Sequence, residues 1–73
     1  MKNTTGGNPM KNREISAFVV CALLNEPDPA PMTVDDAAYT MRCWRSDGVE
    51  YPQNMTAAVL AYTWNRMLEE ATT

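Results

Sequence analysis

Three stretches of this chain repeat apolar residues at helical spacing, and a run of alternating prolines separates the first stretch from the second. In the first, Ile15, Phe18, Val19, Ala22 and Leu23 recur at i, i+3, i+4, i+7 and i+8, which is one face of an α-helix. In the second, Val34, Ala37, Ala38, Met41 and Trp44 form a similar stripe, and in the third Ala57, Leu60, Ala61, Trp64, Met67 and Leu68 do, widened by Val59 and Tyr62. A chain of 73 residues holds one domain. The expected fold is therefore all-α: a small three-helix domain over residues 12–73, preceded by a flexible basic arm at 1–11.

Residues 17–24 (AFVVCALL) also suit a strand, because Phe and Val favour β structure. Neither flank offers a partner strand, so helix is preferred over about 13–25, with Asn12 as its cap. Ala17, Val20, Cys21 and Leu24 make the flanks of that helix apolar as well, so it is expected at the centre, covered on most sides. Pro27, Pro29 and Pro31 then hold the backbone extended with few donors, as a stiff connector. Their spacing of two does not match the PxxP motif that proline-binding domains read.

Helix 2 opens on Thr33-Val34-Asp35-Asp36, which has the pattern of a capping box, and Gly48 is its expected terminator. Arg42 and Arg45 fall in its last turns, where cations suit the helix dipole. Helix 3 is expected over about 55–70, with Asn54 as its cap.

Histidine is absent, which removes the commonest general base and metal ligand. Cys21 and Cys43 alone do not make a zinc site and are expected as buried thiols in a reducing cytosol. The sequons at Asn3 and Asn54 are then chance matches. Asp35 and Asp36 are adjacent, point about 100° apart on a helix, and sit where first-turn acids belong. Gly6-Gly7 precedes neither a strand nor a Walker-type lysine. No enzyme, cofactor or metal is expected, and no apolar run is long enough to span a membrane.

Charge divides the chain. Lys2, Lys11 and Arg13 precede the first acid, while residues 14–73 carry three bases against nine acids, a net of −6. That balance opposes broad contact with a phosphate backbone. The connection between helices 2 and 3 is also too long for a helix–turn–helix reader. Direct nucleic-acid binding is not expected: a DNA-binding repressor fits less well than a protein-binding inhibitor, and an enzyme fits least.

Lys2, Lys11 and Arg13 suit an acidic protein surface, Met10 offers an adaptable apolar contact, and Gly6 and Gly7 allow close backbone approach. Arg42 and Arg45 flank Trp44, a combination favoured at interface centres, although Trp44 and Trp64 read first as core residues. These eight residues, Lys2, Gly6, Gly7, Met10, Lys11, Arg13, Arg42 and Arg45, are the candidate partner contacts.

In its length, the arm MKNTTGGNPMKNR and the body ending in LAYTWNRMLEE, the chain resembles the small transcription regulators of Xanthomonas bacteriophages. The resemblance covers the layout of the chain rather than a diagnostic motif. It implies a protein that binds host RNA polymerase at the N-terminal part of the β′ subunit, inhibits initiation and promotes antitermination in the host cytoplasm. It places the contacts at Lys2, Lys11, Arg13 and the start of helix 1, with Arg42 and Arg45 second. An inhibitor of another host complex, such as a nuclease or restriction enzyme, fits the same composition.

Overall fold

The computed structural model describes the backbone of residues 9–72 and the side-chain surroundings of residues 13–71. Three helices, α1 (Pro9–Leu24), α2 (Val34–Ser46) and α3 (Ala57–Thr72), account for the regular structure there, without a strand among the described residues. The all-α, three-helix expectation holds. Residues 1–8 of the expected arm, including Lys2, Gly6 and Gly7, lie outside the described residues.

α1 begins four residues earlier than expected, at Pro9, so Asn12 lies inside the helix rather than at its cap. Proline blocks a helix only when residues before it must continue that helix. At the first helical position its fixed φ suits the helix, and its missing N–H has no intrahelical acceptor to lose. Residues 9–11 therefore belong to α1 and not to the arm.

α2 has both ends that the sequence implies. Asp36 N–H donates to Thr33 Oγ1 at 3.0 Å, and Thr33 N–H donates to Asp36 Oδ2 at 3.1 Å, completing a capping box. At the other end Val49 N–H reaches the Trp44 carbonyl at 2.8 Å and Gly48 N–H the Arg45 carbonyl at 3.2 Å. This is a Schellman stop, with Gly48 at φ +82°.

α3 starts later than expected, and Thr56 rather than Asn54 caps it: Val59 N–H donates to Thr56 Oγ1 at 3.2 Å. Met55, just before that cap, is 2% exposed, and Leu60, four residues into the helix, is fully buried. The two occupy the positions of a hydrophobic staple. Met55 escapes the periodicity because it precedes the helix.

The core comprises Ile15 and Val19 from α1, Ala37 from α2, Met55 before α3, and Leu60, Ala61 and Trp64 from α3. α3 is the shared wall: α1 and α2 each pack against it, and their backbones do not approach one another. That arrangement corrects the expected burial of α1. Ala17, Val20 and Cys21 are exposed, and Leu24 is 79% exposed, because α1 has one helix to lie against and not two. Cys21 and Cys43 are free thiols, Cys21 exposed and Cys43 half-buried, so neither is the buried thiol expected.

Gly48 tests the account of α2. A Cβ there would meet nothing within 4 Å, so only backbone strain opposes a side chain. Replacing Gly48 by Ala is expected to destabilise the fold by about 1–2 kcal/mol in urea unfolding, and Gly48→Asn by less, since Asn tolerates positive φ. An unchanged midpoint for Gly48→Ala contradicts the Schellman assignment.

Candidate functional site

Between α1 and α2, where their backbones stay apart, lies an open cleft of about 680 Å³. Aromatic rings line its inner part. Phe18 from α1 meets Trp44 from α2 edge to face, with ring centroids 5.1 Å apart and planes at 85°. Trp44 in turn lies tilted against Tyr51, at 6.2 Å. Trp64 of α3 also lines the cleft, and Tyr39, 63% exposed, stands among its lining residues. Trp64 is thus the core residue expected, whereas Trp44 is only half-buried and keeps part of its surface in the cleft.

The connector forms one side of the cleft, and α3 fixes its backbone. Trp64 Nε1 donates to the Ala30 carbonyl at 2.8 Å. The Asn65 amide makes two bonds to Met32: its Oδ1 accepts from Met32 N–H and its Nδ2 donates to the Met32 carbonyl, each at 2.8 Å. Those bonds locate the segment that carries Glu26 and Asp28. With Asp36 from the first turn of α2, these exposed acids are the charged residues lining the cleft, and no Lys or Arg is among its described lining residues.

The candidate contacts distribute unevenly around this feature. Lys2, Gly6 and Gly7 lie outside the described residues. Met10 and Lys11 occupy the first turn of α1, and Arg13 follows, exposed. Arg42 and Arg45 are exposed on α2, and Arg45 Nη2 donates to the Tyr51 hydroxyl at 2.9 Å. Of the three whose side chains are described, Arg13, Arg42 and Arg45, none lines the cleft. Arg45 instead joins the Trp44–Tyr51 pair from outside and ties the α2–α3 connection to the end of α2.

On the outer face of α3, Arg66 donates to the Tyr62 hydroxyl and to Glu70 Oε2, each at 3.3 Å, and stands 5.8 Å from the Tyr62 ring centroid. The Tyr62 hydrogen bond first, and Glu70 second, hold its guanidinium pKa above the usual arginine value. The cluster is exposed, and we assign it to the helix surface.

Sequence reasoning passed over Asn65, Glu26, Asp28 and Asp36 as site residues. Asn65 did carry a signal: a poor helix former beside Trp64 in a helix interior asks for a reason. No protein-family model, curated protein or solved structure matches this chain. Among the described residues there is no cluster of His, Cys, Asp and Glu able to hold a metal ion, and no helix long and apolar enough to cross a membrane.

Asn65→Leu removes both bonds to Met32 and is expected to lower stability by about 2 kcal/mol. Asn65→Asp keeps the acceptor for Met32 N–H but sets a carboxylate oxygen against the Met32 carbonyl, acceptor facing acceptor, and is expected to cost at least as much. Chemical denaturation checks the order, and equal stability of Asn65→Leu and the parent overturns the pinning role.

Proposed function

We propose that this protein is a small helical regulator that acts by binding a protein partner, and that the partner is bacterial RNA polymerase, at the N-terminal region of β′. The observation that carries the protein-binding reading is the aromatic cleft with its acidic rim. Large half-exposed rings beside exposed charge are the composition of an interface centre and its edge. The polymerase is suggested by the resemblance of the chain's layout to small phage regulators. Inhibited initiation and promoted antitermination follow from that resemblance.

The charge division supports contact with protein rather than nucleic acid. Residues 14–73 carry a net of −6, which repels a polyanion. The basic end of the chain, Lys2, Lys11 and Arg13, supplies the opposite sign. A partner with an acidic patch beside a basic segment would engage both, and so small a protein gains affinity from two linked contacts. The same features suit an inhibitor of another host complex, which is the competing reading.

Purified bacterial core RNA polymerase is expected to co-elute with the protein in gel filtration. Promoter-dependent transcripts should fall, and read-through at a terminator should rise. Deleting residues 1–8, which stops short of α1, is expected to leave the helical circular dichroism unchanged and weaken co-elution. Absence of co-elution with the parent protein rejects the polymerase as partner.

A further inference from the structure

We propose that the cleft between α1 and α2 is a receptor for a short basic protein segment that places one large aliphatic or aromatic side chain against Trp44 and Tyr39. This rests on the reading of the chain as a protein-binding module, but not on the identity of the partner. The cleft has two chemically distinct zones. Phe18 and Trp44, both half-buried with their partners in place, offer ring surface, while Trp64, buried in the core, lines the cleft beneath them. Glu26, Asp28 and Asp36 supply negative charge from two elements, the connector and the start of α2, without a cation among the described lining residues.

Charge selects the occupant. Nucleic acid and anionic lipid surfaces carry the same sign as the rim and are disfavoured. A wholly apolar segment would leave the carboxylates without partners of opposite charge. A lysine- or arginine-bearing segment meets them, and one apolar anchor covers the rings. Burying such an anchor is expected to raise affinity about tenfold or more over charge alone. The charge pairs are exposed, so they contribute modestly and weaken with salt.

The chain's own residues 1–8, with Lys2, are a rival occupant. They offer Met1 and Lys2 but no aromatic or branched aliphatic anchor to lie on the rings, so the proposed occupant is an external segment, and deletion of residues 1–8 separates the two.

The test is titration of the full chain with synthetic peptides, followed by backbone amide and tryptophan indole resonances. The main probe has Leu and Phe flanked by lysines. The controls are the same peptide with glutamates in place of the lysines, and oligolysine. The lysine-flanked peptide is expected to shift Tyr39 and Trp44, the glutamate version to leave them unmoved, and oligolysine to bind about tenfold more weakly. Combining Glu26→Gln with Asp28→Asn is expected to weaken the main probe about three- to tenfold. Tyr39→Ser, at an exposed position, tests the anchor independently of charge.

Equal binding of the glutamate peptide, equal binding of oligolysine, shifts confined to other surfaces, or no effect of either variant overturns the proposal. So does a change in the Tyr39 and Trp44 resonances of the free protein on deleting residues 1–8, which would make the chain's own terminus the occupant. If the peptide binds the cleft but core polymerase does not co-elute, only the choice of partner fails. If polymerase co-elutes and the peptide misses the cleft, the receptor fails and the protein-binding reading stands.

Discussion

The bonds from Trp64 and Asn65 to the connector backbone hold the rest of the structure in register. A segment with Pro27, Pro29 and Pro31 has lost three backbone donors and cannot enter a helix or pair as a regular strand. Its remaining polar groups still require partners. α3 supplies them from side chains: an indole for the Ala30 carbonyl and an amide for both backbone groups of Met32. Met32 immediately precedes Thr33, the cap of α2. Fixing Met32 against α3 therefore also fixes where α2 begins and which way its first turn faces.

The cleft follows from that constraint. α1 and α2 both lean on α3, and a connector pinned to α3 cannot draw them together. Among the described residues, the ring pair that spans the gap is Phe18 on Trp44. An edge-to-face pair of this kind contributes about 0.5–1.5 kcal/mol beyond the area it buries. It joins the helices without filling the space between them. The acids at the rim stand on the connector and the capped start of α2, so the same hydrogen bonds that order the backbone also arrange the charge.

The parts legible in the sequence were those decided locally. Thr33 with Asp36 and the stop at Gly48 each depend on a few consecutive residues, and both were readable before any tertiary contact was known. The helix stripes gave Ile15, Val19, Ala37, Leu60, Ala61 and Trp64 as core. Other boundaries were less determinate because several polar residues competed for them. Asn12 and Asn54 were plausible caps, yet Pro9 opens α1 and Thr56 caps α3. The exposure of Val20 and Leu24 was hidden for a different reason: apolarity on the flanks of α1 cannot reveal how many neighbours the domain provides. Asn65 and Met32 are 33 residues apart, and no periodicity links them. The acidic rim was missed in the same way, since Glu26 and Asp28 come to line the same cleft as Trp44 only once α1, the connector and α2 are packed.

The central claim, that α3 side chains hold the connector and thereby shape the cleft, is tested most directly by hydrogen exchange of the Trp64 indole N–H and the Met32 amide, followed by nuclear magnetic resonance. Both should exchange slowly, with protection comparable to the buried amides around Leu60. Fast exchange at both, with Leu60 still protected, would mean that the connector is not held by α3, and that the cleft has no fixed wall.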